Sequence, residues 1–191
     1  TGLAYRDARR RDAEAAEPAA GYESILMFSA AVEDPGMVVF PTHRLVHSLP
    51  SFDEQAFVLQ LARFFTIETG IDRSAEAVMA RLADTNTNAF AMITEGELRL
   101  LELADNAPLD EVEGLPKHPA VRSLDVTILH SVILEHVLGI SREAQASQTN
   151  LRYSKNNSEA LASVPGDAQV AFLMNPTKIR EVIDISNAGE V

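Results

Sequence analysis

Two side chains able to grip an anion stand side by side in Pro41-Thr42-His43-Arg44, directly behind the apolar run Met37-Val38-Val39-Phe40. An arginine presents a planar fork of donors that suits phosphate or carboxylate through two parallel hydrogen bonds. Thr42, His43 and Arg44 are therefore candidate anion ligands. The competing assignment is a structural strand-to-helix connection in which Arg44 pairs with one of the chain's many carboxylates. If the strand continues, His43 and His47 share a face about 13 Å apart, too far for one metal ion. A second candidate lies at Tyr153-Ser154-Lys155-Asn156-Asn157 and Met174-Asn175-Pro176-Thr177-Lys178, each at the point where a strand runs into a helix. If those strands are parallel and joined by a right-handed crossover, both turns fall at one edge of the sheet. Lys155, Asn156, Asn175 and Thr177 would then surround an anion site at two helix N-termini. The competing assignment is that Asn156 and Asn175 are simply helix caps, as such residues usually are.

Metal and thiol chemistry find no support. His130 and His136 share the segment Leu124–Leu138, but six residues turn a helix by roughly 600°, so the two rings diverge. A one-helix zinc site needs histidines four apart. His130, set among Val126, Thr127, Ile133 and Leu134, is expected as a buried histidine bonded to backbone. The chain has no cysteine, which removes thiol nucleophiles, disulfides and zinc ribbons together. It also lacks a P-loop, a GxGxxG turn and a Gly-x-Ser-x-Gly elbow, so no cofactor is named by its residues. The acidic stretch from Glu95 to Glu113 reads as a solvated face.

The elements that must position these groups follow from periodicity. Residues 1–15 alternate charges at helical spacing and end at Pro18 and Gly21. Tyr22–Ala31 and Met37–Phe40 read as a hairpin about the Asp34-Pro35-Gly36 turn. Ser51-Phe52-Asp53-Glu54 is a capping box opening a helix to about Phe65, and a short strand follows near Phe65–Glu68. Ser74 caps a helix with Ala75, Val78, Met79 and Leu82 on one face. Asn88–Thr94 and Glu97–Leu103 form a hairpin about Glu95-Gly96, with Ala89, Ala91 and Ile93 on one face and Phe90 and Met92 on the other. Leu124–Leu138 is apolar on nearly every side, marking a central buried helix that Gly139 ends. The last third reads as strand Leu151–Ser154, helix to Val164, strand Ala168–Met174, then a helix over Thr177–Ser186 with Asn175 as cap and Pro176 at its first position. The expectation is an α+β fold: a mixed sheet of antiparallel hairpins followed by a β-α-β-α unit with parallel strands. Residues 1–20 are expected to form a helical segment ending an upstream element, and residues 21–191 a single α+β domain.

The chain has 191 residues, 46% of them hydrophobic, and a formal net charge of −12. It is long enough to bury a core without a metal or disulfide. The acidic balance opposes nucleic acid or an anionic membrane as partner. The apolar run Ser24–Val32 falls short of the ~20 residues of a membrane span. With no signal peptide, the expected setting is cytoplasmic.

From Asp34-Pro35-Gly36 through Val39-Phe40-Pro41-Thr42-His43-Arg44-Leu45, the chain resembles a prokaryotic family known as domain of unknown function 1015. The likeness continues at Leu138-Gly139-Ile140, Tyr153, Glu159-Ala160, Phe172–Thr177 and Ala188–Val191. The resemblance implies a protein about twice as long, whose upstream half ends in an Asp-Gly-His-His-Arg motif like the phosphate-handling signature of the ParB and sulfiredoxin superfamily. It also implies a gene neighbourhood shared with serine biosynthesis. Thr1-Gly2-Leu3-Ala4-Tyr5 matches the helix after that motif, so the chain reads as the C-terminal half. The expected partners are then the N-terminal half and a small phosphorylated ligand. On this reading the protein is part of a cytoplasmic enzyme acting on a phosphorylated metabolite or nucleotide. The alternative is a non-catalytic binding or scaffold module.

Overall fold

In the computed structural model, residues 39–189 are described, together with Leu26, Ser29, Ala31 and Asp34. The chain divides into two compact units, Thr1–Val38 and Val39–Val191. In the first, the Asp34 amide donates to the Ala31 carbonyl at 3.1 Å. The helix expected over residues 1–15 and most of the hairpin expected over 22–40 lie outside the described residues. Val39 and Phe40 are described and are not in a strand.

The second unit is built on β1 (His43–Val46), α1 (Glu54–Leu61), β2 (Phe65–Glu68), α2 (Ala75–Ala83), β3 (Ala89–Ile93) and β4 (Leu98–Leu103). There follow α3 (Pro119–Arg122), α4 (Asp125–Ile128), which continues as a π-helix over Leu129–Val137, and α5 (Arg142–Ala146). β5 (Leu151–Ser154), α6 (Asn157–Ala162), β6 (Val170–Met174) and α7 (Ile179–Asn187) complete it. Its class is α+β. The six strands form one sheet in the order β2-β4-β3-β6-β1-β5, and every neighbouring pair is antiparallel.

That pattern corrects the expectation of a mixed sheet with a parallel β-α-β unit. β5 and β6 do run in the same direction, joined through α6, but β1 lies between them and is antiparallel to both. Each strand thereby gains perpendicular ladder bonds in place of slanted parallel ones. β1 also starts at His43, where the sequence suggested a strand ending. Its polar first residues are accommodated because their side chains find partners on the two faces of the sheet.

Side-chain alternation divides the core in two. Phe90 and Met92 of β3, Leu101 of β4, and Val170, Phe172 and Met174 of β6 pack with Phe57 and Leu61 of α1 and with Ile128, Leu129, Val132, Ile133 and Leu134 of the central helix. On the opposite face, Leu45, Ala91, Ile93, Leu98, Ala171 and Leu173 pack with Val78 and Leu82 of α2 and Ala160 of α6. The two faces expected of β3 are therefore covered by two different helical layers, which is why all five of its residues are buried.

Local chemistry sets the helix ends. α1 opens at Asp53, whose carboxylate accepts from the Ala56 amide. Ser51, read as the cap, instead sits at φ 56° in the turn before it. Ser74 caps α2 as expected, accepting from Ala77. Gly139, at φ 70°, supplies the left-handed residue that lets the Ile140 amide reach back to the Leu134 carbonyl at 2.8 Å. α6 stops at Ala162 instead of Val164. The final helix begins at Ile179, not Thr177, because Asn175 is drawn away: its side-chain amide donates to the Leu82 carbonyl at 2.9 Å. Glu181 instead accepts from the Lys178 amide at 3.1 Å.

The fully buried Ile133 faces the sheet from the central helix. Replacing it with alanine is expected to lower unfolding free energy by about 2–5 kcal/mol, as core truncations do. Urea denaturation checks this, and unchanged stability would contradict the packing described.

Candidate functional site

Alternation along β1 separates the two residues that the sequence placed together. Arg44 shares a face with Val46, beneath the central helix, while His43 shares the other face with Leu45. Consecutive strand residues point to opposite sides of a sheet, so His43 and Arg44 cannot hold one anion between them.

His43 is enclosed and its ring is fully bonded. Its Nδ1 accepts from the Met174 amide at 3.3 Å, which leaves the proton on Nε2 to be donated to Asn157 Oδ1 at 2.7 Å. The ring thus ties the C-terminal end of β6 to the first residue of α6. Burial holds its pKa below the ordinary histidine value, Asn157 opposing and Arg44 reinforcing the shift.

Arg44 is 7% exposed and is the only formally charged side chain buried among the described residues. The register sets it between Tyr153 of β5 and Phe172 of β6. Its Nε donates to His130 Nε2 at 3.1 Å. Nη1 donates to the Thr42 carbonyl and reaches Met174 Sδ at 3.3 Å. The Tyr153 ring stacks on the guanidinium, with Cζ 5.1 Å from its centroid. His130 is held in turn by α5: Gln145 Nε2 donates to the Ile140 carbonyl at 2.8 Å, so its Oε1 faces His130 Nδ1 at 2.7 Å and takes that proton. The chain Ile140–Gln145–His130–Arg44 therefore fixes one histidine tautomer and one guanidinium orientation.

No carboxylate among the described residues completes this arrangement. Arg63, Arg81, Arg99, Arg122, Arg142 and Arg152 each meet an Asp or Glu, yet all of them are more exposed than Arg44. Among the described residues Arg44 has no ion pair, and its Nη2 has no hydrogen-bond partner. Burial lowers its pKa and the nearby Tyr153 opposes that shift; the guanidinium remains a cation at neutral pH. A buried charge without a counter-charge is costly, and the expected pairing of Arg44 with a surplus carboxylate is not found among the described residues.

The other candidate residues are dispersed. Thr42 contributes its backbone carbonyl. Lys155 is exposed, and Asn156 caps α6, accepting from the Glu159 amide at 3.0 Å. Asn175 is bound to Leu82 as described, and Thr177 precedes the final helix. The turns after β5 and β6 do flank the start of β1, but His43 joins them through Asn157 and Met174. His130 bonds to side chains, where backbone was expected. His130, Gln145 and Tyr153 complete the Arg44 setting from 86 to 109 positions away in sequence. Such distances leave no spacing signal, although an aromatic residue on a short polar strand was a usable hint.

Two cavities share the Tyr153 ring. One of about 430 Å³ runs along the central helix and includes His130, Val126, Thr127 and Ala146. The other, of about 870 Å³, lies beyond the sheet edge with Phe40 and Lys155. Among the described residues no group of His, Asp and Glu is arranged to hold a metal, and no helix is long and apolar enough to cross a membrane.

What these features define is an α+β domain with a buried arginine on the strand next to one edge of an antiparallel sheet. The chain belongs to a family of unknown function: a family model described as "Protein of unknown function (DUF1015)" matches residues 1–127. The match includes β1 to β4 and ends before His130, Gln145, Tyr153 and Met174. No curated protein and no solved structure matches the chain.

Desolvation lowers the His130 pKa to about 4, with Arg44 adding to the effect and Gln145 opposing it. The unfolded chain then takes up a proton near the ordinary histidine pKa while the folded one does not. Stability is therefore present above that value and is lost as pH falls toward 4. Between pH 7 and pH 5, His130 is expected to account for a loss of about 1–2 kcal/mol, allowing for its partial exposure. His130→Gln should shrink the pH-dependent loss, measured by urea unfolding at the two pH values, by that amount. An equal loss in both proteins would contradict the neutral-histidine assignment.

Proposed function

We propose that this domain binds the anionic group of a small metabolite on Arg44, as the ligand-binding part of an enzyme. The observation that carries the reading is the buried guanidinium with two fixed nitrogens and, among the described residues, no carboxylate partner. An interior cation of this kind is retained where binding repays its desolvation. His130 orients the guanidinium by accepting its Nε–H, and as a neutral imidazole it adds no charge. Tyr153, 39% exposed and on an edge strand, is the side chain between the guanidinium and both cavities, so rotation of its ring opens the approach. A phosphorylated metabolite or nucleotide, the class implied by the family resemblance, meets the same cation, as does a carboxylate. A cytoplasmic enzyme in a serine-linked reaction is one setting for such a domain.

The test is thermal unfolding with inorganic phosphate, O-phosphoserine, AMP and short carboxylates at constant ionic strength. At about 100 times the dissociation constant, a bound anion should raise the melting temperature by about 5–10 °C. Arg44→Gln should abolish the rise, and Arg44→Lys should weaken it by losing the planar fork. A rise of equal size in the Arg44→Gln protein, or none with any anion, would overturn the reading.

A further inference from the structure

We infer that the anion for which Arg44 is arranged is a carboxylate on a small apolar body, and that the body fills the cavity beside the central helix. The inference rests on the anion-binding reading above and names its ligand class.

Charge counting is the first argument. The two charged residues in the cavity wall cancel: Arg142 Nε meets Glu135 Oε2 at 3.0 Å, and Arg142 Nη2 is spent on the Gly114 carbonyl at 2.5 Å. His130 supplies no second positive charge, because its Nε2 lone pair accepts from Arg44 and its Nδ1 proton goes to Gln145. The described side chains thus offer one net positive charge. A carboxylate carries one negative charge, and the Nη2 N–H groups are the donors left to meet it, Nε and Nη1 being engaged. A phosphate monoester carries nearly two, and the described side chains of this cavity offer the second no counter-charge, at a cost.

The walls supply the second argument. Val126, Ala146, Pro116 and the face of Tyr153 are apolar, and the hydroxyls of Thr127 and Ser131 are the small polar groups among them. At about 430 Å³ the space falls within the range of small-molecule clefts. Tyr153 and His130 are the two side chains that touch both the guanidinium and this cavity, so a head group on Arg44 leads its body there. The larger cavity shares only Tyr153 with Arg44, and its cation, Lys155, is exposed.

Calorimetry on the full chain at constant ionic strength decides the matter, with acetate, 3-methylbutanoate, phenylacetate, 3-methylbutanamide, O-phosphoserine and AMP as probes. The branched and aromatic carboxylates should bind at least about tenfold more tightly than acetate, since each buries several carbons. The neutral amide should show no binding. Ala146→Trp, which fills the cavity from its exposed rim, should remove the tenfold advantage of the larger carboxylates over acetate, its unliganded melting temperature showing that it folds. Binding of O-phosphoserine or AMP through Arg44, with the carboxylates inert, would overturn this inference and leave the anion-binding reading standing. Absence of binding by every anion would overturn both. Carboxylate binding indifferent to Ala146→Trp would overturn the placement of the body.

Discussion

A single desolvated cation organises this domain. Arg44 could not sit beneath the central helix unless each nitrogen that is turned inward met an acceptor, and the fold supplies them from distant parts of the chain. His130 comes from the helix, the Thr42 carbonyl from the approach to β1, and the Met174 sulfur from the end of β6. Gln145 then fixes His130 from α5. Hydrogen bonds satisfy Nε and Nη1, but none of these partners neutralises the charge. The rest of the architecture serves to hold that imbalance in place.

The position of β1 makes this possible. Had β5 and β6 paired directly, the sheet would be complete without β1. By entering between them, antiparallel to both, β1 brings its first residues to an edge where two turns converge. Alternation then assigns different tasks to neighbours. His43 faces α2 and α6 and fastens the turns, while Arg44 faces the central helix and bonds to His130. The π-helical segment carrying His130 belongs to the same design. A wider turn, in which the Leu138 amide reaches the Ile133 carbonyl five residues back at 3.0 Å, is a geometry that recurs at functional sites.

Much of the fold was legible because periodicity reports burial. The two-faced β3, the Ser74-capped helix, the hairpin about Glu95-Gly96 and the central apolar helix could each be read from apolar spacing. What escaped was long-range. Strand order depends on β1 entering between β5 and β6, and no local pattern encodes that choice. Asn175 had the composition of a cap but was captured by Leu82 across the fold. The site was half legible: Arg44 stood out by residue type, yet its partnership with His130 and Tyr153 follows from register and helix placement. The His-Arg dipeptide itself misled, since adjacency in a strand means separation in space.

The account stands or falls on whether Arg44 receives an anion. The most direct measurement is ¹⁵N NMR of the arginine Nε–H groups during titration with 3-methylbutanoate and, separately, with phosphate at constant ionic strength, the Arg44 signal being assigned by its loss in Arg44→Lys. The account predicts that the Arg44 resonance moves to a saturating limit while those of the exposed arginines drift slightly and linearly. An Arg44 resonance that stays fixed, or that only drifts with the others, would contradict it.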